Sequence, residues 1–210
     1  MELIMLGTGN AMVTRCYNTC FVLSSGEEYF LVDAGGGNGI FKQLEQGPDL
    51  YVNQEIPVNA SDIDYVFVTH AHTDHILGAI WVIRKIATLI SNDKYRRNFI
   101  VYGHNEVIDA LRTFCRLTLP GKILKYIDER IFWGEVKDGT RKEILGLPIC
   151  FFDILSTKMK QFGFRVLLPD GQVLVCLGDE PYNEACKKYG RLVTGRSFLF
   201  VSRPGNFFTL

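Results

Sequence analysis

Three of the four histidines in the chain fall within six residues, in the segment His-Ala-His-Thr-Asp-His from His70 to His75. Asp74 lies among them. Imidazole nitrogens and carboxylate oxygens are suitable ligands for zinc and similar divalent metals. One short segment can present ligands to two neighbouring ions if His70, His72 and Asp74 alternate in direction and His75 turns away at a helix start. The spacing therefore predicts a metal site.

The position of this segment also favours a functional role. It directly follows the apolar run Tyr65 to Val68, which is typical of a strand buried on both faces. It precedes Ile76 to Ile90, which we interpret as a helix. Loops beyond strand ends carry catalytic groups in α/β folds, so the histidines stand where such groups are expected.

Asp179 and His104 are two further residues that could bind a metal, and the sequence favours Asp179. Asp179 follows the predicted strand Val173 to Leu177, and a carboxylate there can bridge two metals. Its alternative role is the N-cap of a helix before Pro181, and the residues alone leave both open. His104, in a loop between a strand and a helix, is interpreted as a cap-region or surface residue.

The composition limits the class of protein. Lys and Arg number 23 and Asp and Glu number 23, so the formal net charge is zero, and 47% of the residues are hydrophobic. This mix excludes long disorder and a coiled coil, and the neutral charge argues against a dedicated nucleic-acid coat. We see no signal peptide or membrane span, and we therefore expect a cytoplasmic protein with reduced cysteines and no membrane partner.

The order of elements indicates an α/β fold with mixed sheets in one domain. We predict a second helix over Glu106 to Leu117 and strands over the following ranges: Glu2 to Leu6, Cys20 to Ser24, Tyr29 to Val32, Phe99 to Tyr102, Ile123 to Ile127, Ile131 to Trp133, Ile149 to Ile154, Phe162 to Leu168 and Val173 to Leu177.

The histidine motif and several turns resemble the metallo-β-lactamase superfamily. The pieces that match in family order are Gly7-Thr8-Gly9-Asn10, Asp33-Ala34-Gly35, Thr69 to Gly78 and Leu177-Gly178-Asp179. The Gly-Thr-Gly opening and Phe162-Gly163-Phe164-Arg165 look most like the ribonuclease Z-like branch. The resemblance covers roughly residues 1–189.

The resemblance implies a four-layer αββα sandwich, truncated or altered at its C-terminus, with a two-metal site at one edge. His70 and His72 would bind the first metal, Asp74 and His75 the second, and Asp179 would bridge them. A metal-activated water would attack the scissile bond, with Asp74 orienting it or taking its proton. Zinc is the expected ion, with Mn²⁺ or iron as alternatives.

Two ligands of the family pattern are missing. Leu155 stands where a third histidine for the first metal is expected, and leucine cannot bind a metal. The family's last histidine lies far downstream of the bridging aspartate, but no histidine follows His104 in this chain. Three protein ligands per site remain, a normal number for catalytic zinc. One bound metal therefore fits this ligand count and two full sites do not, so we hypothesise weak or partial occupancy.

The tail over residues 190–210 is atypical, because glycine, arginine and apolar residues alternate without clear periodicity. With suitable codons, another reading frame of this segment resembles the family's next strand. We hypothesise a frameshift near Gly190 within a single domain over 1–210, with a divergent tail as the alternative.

The leading functional prediction is a metal-dependent hydrolase of ester or phosphodiester bonds. Its substrate is either a small molecule or RNA, in which case RNA 3′-end processing would be the reaction. The alternative is a catalytically impaired member of the fold that keeps partial metal binding. A homodimer is left open.

Overall fold

The computed structural model describes residues 1–46 and 58–179 in full, together with the backbone of two strands at 197–200 and 208–209. The predicted tail therefore lies outside the described residues except for these two strands, and Cys186 lies outside them entirely. No helix of the described part has both the length and the apolar composition needed to cross a membrane.

The first sheet places the histidine segment at its edge. Its strands lie in chain order: β1 (Glu2–Gly7), β2 (Cys20–Ser24), β3 (Tyr29–Val32), β4 (Ile63–Phe67), β5 (Phe99–Gly103) and β6 (Ile131–Glu135). Strands β1 to β3 pair antiparallel, whereas β3 to β6 pair parallel. The carboxyl ends of β3, β4 and β5 therefore meet at one edge, where Asp33, Thr69 and His104 follow their strands.

The second sheet packs on the first. Its order is β12 (Phe208–Thr209), β11 (Ser197–Phe200), β10 (Val173–Cys176), β9 (Phe162–Leu167), β8 (Leu147–Asp153) and β7 (Arg141–Ile144). All its pairs are antiparallel except β10 with β11. At the edge, the Phe162 N–H donates to the Thr69 carbonyl across 3.0 Å and ties the two sheets together beside the histidines.

The helices cover the outer face of the first sheet. They are α1 (Ile40–Gln46), α2 (Thr73–Ser91), α3 (Asn105–Thr118) and α4 (Gly121–Leu124). On α3 the buried residues Val107, Ile108, Leu111 and Cys115 follow the spacing of one apolar helix face. Val107, Leu111 and Cys115 of that face belong to a core that the four helices share with β1 to β6.

A second core lies between the two sheets and is rich in aromatic rings. Phe67 of β4 lies with its ring centroid 4.9 Å from that of Phe151 and 5.9 Å from that of Phe164. The described residues therefore form three layers: helices, first sheet and second sheet. This is the mixed α/β sandwich that the sequence predicts, and the second helical layer is not among the described residues.

Most predicted elements are confirmed, but two of them differ and the structure adds strands that were not predicted. Ile123 to Ile127 is not a strand: α4 and a turn occupy it, because short apolar runs do not distinguish helix from strand. Strand β7 was not predicted, since only Ile144 of its four residues is buried. Helix α2 begins at Thr73 rather than Ile76, so Asp74 and His75 lie in its first turn.

Candidate metal centre

The five predicted ligands come from three places in the fold and converge at one edge of the sandwich. His70 and His72 lie in the link between β4 and α2, Asp74 and His75 in the first turn of α2, and Asp179 just after β10. His70, Asp74 and His75 are buried, whereas His72 is exposed and Asp179 is half-buried. His70 and His72 do not alternate in direction, because their ring nitrogens lie 2.8 Å apart, and Asp74 is helical.

The first group of donors consists of His70, His72 and Asp179. His70 Nε2 lies 2.8 Å from His72 Nδ1 and 4.0 Å from Asp179 Oδ2. Both imidazoles thus turn a ring nitrogen toward the same region, which the Asp179 carboxylate borders.

The second group consists of Asp74, His75 and Asp179. His75 Nε2 lies 3.5 Å from Asp74 Oδ2 and 3.2 Å from Asp179 Oδ2. Because Asp179 takes part in both groups, its carboxylate is placed to bridge two neighbouring ions. Its alternative role as a helix N-cap concerns residues 180–196, which lie outside the described part of the chain.

Asp33 is a candidate functional residue that the sequence analysis names only as part of a turn. It follows β3, adopts a positive φ of 56°, and places a buried carboxylate beneath the histidines. Its Oδ2 accepts a hydrogen bond from His75 Nδ1 at 2.8 Å. That bond leaves His75 Nε2 facing Asp74 and Asp179, so Asp33 orients His75 toward the second group.

The same carboxylate orients His70 through Thr69. The Thr69 hydroxyl donates to Asp33 Oδ2 at 2.9 Å, and its oxygen lies 2.9 Å from His70 Nδ1. A hydroxyl has one proton, so Thr69 must accept from His70 Nδ1–H. The lone pair of His70 then lies on Nε2, on the side of the first group.

The two buried imidazoles have opposite pKa shifts. Burial and the neighbouring His75 lower the pKa of His70 to about 2, so this ring is neutral. Burial also opposes protonation of His75, but the carboxylates of Asp33 and Asp179 outweigh it and raise its pKa to about 10. Without a metal, His75 therefore holds a proton between two carboxylates.

The arrangement fits a divalent metal ion. Zinc bonds to nitrogen and oxygen are about 2.0–2.2 Å long, so ligand atoms around one ion lie no more than about 4.4 Å apart. The separations of 3.2, 3.5 and 4.0 Å satisfy this limit, and the 2.8 Å between His70 and His72 needs only a small opening. Three protein ligands in each group leave room for water or substrate, as in catalytic sites.

The structure also shows where His104 and Leu155 lie. His104 occupies the N-cap position of α3, as expected, but it is 1% exposed and therefore not a surface residue. It belongs to neither donor group of the described residues. Leu155 is 59% exposed in the loop after β8, with a positive φ of 57°, and it supplies no ligand.

The chain is similar to known proteins in part of its sequence and in its fold. Residues 13–104 match the metallo-beta-lactamase superfamily. Among solved structures, the metallo-beta-lactamase fold protein YhfI from Bacillus subtilis superposes with a TM-score of 0.65 at 18% identity, covering 90% of this chain and 67% of that one. Human tRNase Z, short form, superposes with a TM-score of 0.61 at 21% identity, covering 85% and 69%.

Curated relatives point to one branch of that class. Ribonuclease Z of Listeria monocytogenes is 26% identical over 179 residues, 82% of this chain and 51% of the relative. Ribonuclease Z of Nanoarchaeum equitans is 28% identical over 137 residues, 62% of this chain and 38% of the relative. The chain thus spans about half the length of the first of these. These similarities support the interpretation of the chain as a ribonuclease Z-like member of the metallo-β-lactamase superfamily.

Proposed function

We propose that the protein is a metal-dependent hydrolase of ester or phosphodiester bonds. The observation that carries this proposal is that Asp179 belongs to two groups of possible ligands, whose donor atoms lie within 4.8 Å of one another. His70 Nε2 and His75 Nε2 lie 4.0 and 3.2 Å from its carboxylate. Three members of this cluster, His70, Asp74 and His75, are buried, and buried polar and charged groups are costly to maintain without a compensating partner.

Each of the five residues would have its own role in binding the metal or activating water. His70 and His72 would hold one ion, Asp74 and His75 a second, and Asp179 would contact both. A divalent ion supplies a lowered pKa for a water and stabilisation of negative charge at the attacked centre. Asp74 is 7% exposed and lies at the rim of the second group, where its carboxylate can orient that water or take its proton. Zinc is the ion we propose, with Mn²⁺ or iron as alternatives.

The relatives named ribonuclease Z support RNA as the substrate class. The charged groups give less support to a broad RNA-binding surface. Arg97 forms an ion pair with Asp64 at 2.7 Å, and Arg96 pairs with Asp93 at 3.2 Å. These cations lie beyond the C-terminal end of α2, whereas the donors lie at its N-terminal end. A short phosphodiester segment or a small phosphodiester therefore suits the site best.

Hydrolysis of bis(p-nitrophenyl) phosphate with zinc or Mn²⁺ tests the proposal. We expect turnover by the wild-type protein and its loss in Asp74→Asn. Asp93→Asn is the matched control, because Asp93 is exposed, pairs only with Arg96 among the described contacts and lies at the other end of α2. Equal rates in Asp74→Asn and wild type would contradict the assigned role of Asp74.

A catalytically impaired protein is the second candidate, and Leu155 favours it. The loop after β8 presents an exposed leucine where the family resemblance places a histidine. Leu155→His distinguishes the two candidates. An active wild type excludes the impaired state, whereas an inactive wild type whose activity appears with Leu155→His supports it.

A further inference from the structure

Tyr17 connects a distant loop to the segment that follows β3. It lies between β1 and β2, next to Asn18, which forms an isolated bridge with Gly9. Its hydroxyl lies 2.9 Å from the Ala34 carbonyl and 2.8 Å from the Gly37 carbonyl, and its one proton is shared between these two acceptors. Burial raises the pKa of the Tyr17 phenol, so the hydroxyl keeps its proton and remains a donor.

The packing of the Tyr17 ring requires glycine at positions 35 and 39. A Cβ at Gly35 would lie 2.3 Å from Tyr17 Cε1, and a Cβ at Gly39 would lie 2.8 Å from Tyr17 Cε2. Both distances are far below van der Waals contact. The ring therefore occupies the space that side chains at Gly35 and Gly39 would fill. It packs directly against the backbone of the segment 34–39.

Asn18 holds the same segment through its amide. The Gly36 N–H donates to Asn18 Oδ1 at 3.0 Å, and Asn18 Nδ2 donates to the Asn10 carbonyl at 2.9 Å. Together, Tyr17 and Asn18 engage two carbonyls and one N–H of residues 34–37. We refer to this pair as the Tyr17–Asn18 clamp.

The clamped segment in turn holds the first turn of α2. The Ala34 N–H donates to the His75 carbonyl at 3.1 Å, and the Gly78 N–H donates to the Gly35 carbonyl at 2.8 Å. A Cβ at Gly36 would lie only 3.9 Å from Asp74 Cα. The segment 34–37 thus lies between the clamp on one side and the backbone of Asp74 and His75 on the other.

We propose that Tyr17 and Asn18 are positioning residues for the Asp74–His75–Asp179 group. This inference rests on the proposed function, because it assigns the clamp to the same metal site. Neither residue touches the donors. Both fix the backbone that carries Asp74 and His75, so they act on metal affinity through the orientation of α2.

The test uses Tyr17→Phe and Asn18→Ala, with Tyr95→Phe as the matched control. Tyr95 is also a buried tyrosine whose hydroxyl donates to a backbone carbonyl, that of Ile63, at 2.9 Å, but it packs at the start of β4. Amide hydrogen exchange is measured on the metal-free proteins, and zinc affinity is measured by calorimetry. Exchange at Ala34 and Gly78 is compared with that at Phe99, whose N–H donates to the Arg130 carbonyl in the core.

We expect exchange at Ala34 and Gly78, relative to Phe99, to rise about five- to tenfold in Tyr17→Phe, as for the loss of one hydrogen bond. Zinc affinity should fall by a similar factor of about five to ten. Asn18→Ala should also raise the exchange at Ala34 and Gly78 and lower the zinc affinity. Tyr95→Phe should change neither the exchange nor the affinity. Unchanged exchange in Tyr17→Phe, or faster exchange with wild-type zinc affinity, would overturn the proposal.

The result also separates this inference from the proposed function. A wild-type protein that binds no zinc would contradict the metal site and hence the clamp's role in metal affinity. The exchange rates of the metal-free variants would still decide whether Tyr17 holds the first turn of α2.

Discussion

Asp33 Oδ2 and His75 Nδ1 lie 2.8 Å apart, although 42 positions separate the two residues in sequence. The pair joins the end of β3 to the first turn of α2. Asp33 also accepts from the Thr69 N–H at 2.8 Å and from its hydroxyl. One buried carboxylate therefore sets the ring orientation of a histidine in each donor group, directly for His75 and through Thr69 for His70.

Asp33→Asn should weaken zinc binding without removing a ligand. An amide can still accept one hydrogen bond, but it cannot neutralise the charge of His75 or orient both histidines. Loss of such a supporting partner typically lowers metal affinity by about 10- to 100-fold. Calorimetry on the metal-stripped proteins measures this. Asp128→Asn is the control, because Asp128 pairs with Arg112 at the surface, and wild-type affinity in Asp33→Asn would contradict the account.

The metal-free protein should lose stability as the pH rises above neutrality. The pKa of His75 is about 10 in the folded protein, above its ordinary value of 6.5. Its stabilising contribution is therefore fully present below pH 6.5 and disappears as the pH rises through about 10. Urea unfolding across this range should show the decline in wild type and a smaller one in His75→Gln. Parallel slopes in the two proteins would count against the ion pair.

Zinc binding to the second group should release a proton from His75. At pH 7 that ring is protonated in the metal-free protein, and a ligand nitrogen must be free of its proton. The affinity of this group should therefore rise with pH. Calorimetry in buffers of different ionisation enthalpy counts the protons, and His75→Gln should release one fewer. An equal count in both proteins would show that His75 is not a ligand.

Gly78→Ala should destabilise the protein and displace α2. A Cβ at Gly78 would lie 1.7 Å from the Ala34 carbonyl oxygen, which is backbone and cannot rotate away. We expect a loss of about 1–3 kcal/mol or more in the free energy of unfolding, as for overpacking. Gly121→Ala is the control, since nothing lies within 4 Å of its Cβ position. A Gly78→Ala protein as stable as the control would show that α2 does not pack closely against the Ala34 backbone.

The sequence pointed to the cluster of possible ligands more clearly than to the residue that orients them. The segment His70 to His75 was recognisable because its residue types and spacing leave few other roles. Asp33 was not, because a single aspartate after a strand also suits a turn. The same argument that selected Asp179, a carboxylate at a strand end, applies to Asp33 and would have found it.

Local ambiguity explains the errors in the elements. Ile123 to Ile127 is apolar enough for a strand, but its surroundings make it a helical turn. Strand β7 carries the exposed residues Arg141, Lys142 and Glu143, so it lacks an apolar signal. Its pairing with β8 decides its structure, and such long-range pairing is not visible in a window of sequence.

An anomalous-scattering map of crystals grown with zinc, recorded at the zinc absorption edge, tests the central claim most directly. The account predicts at least one peak within bonding distance of Asp179 and of either His70 and His72 or Asp74 and His75. A map without a peak among these residues, in crystals that contain bound zinc elsewhere, would contradict the account.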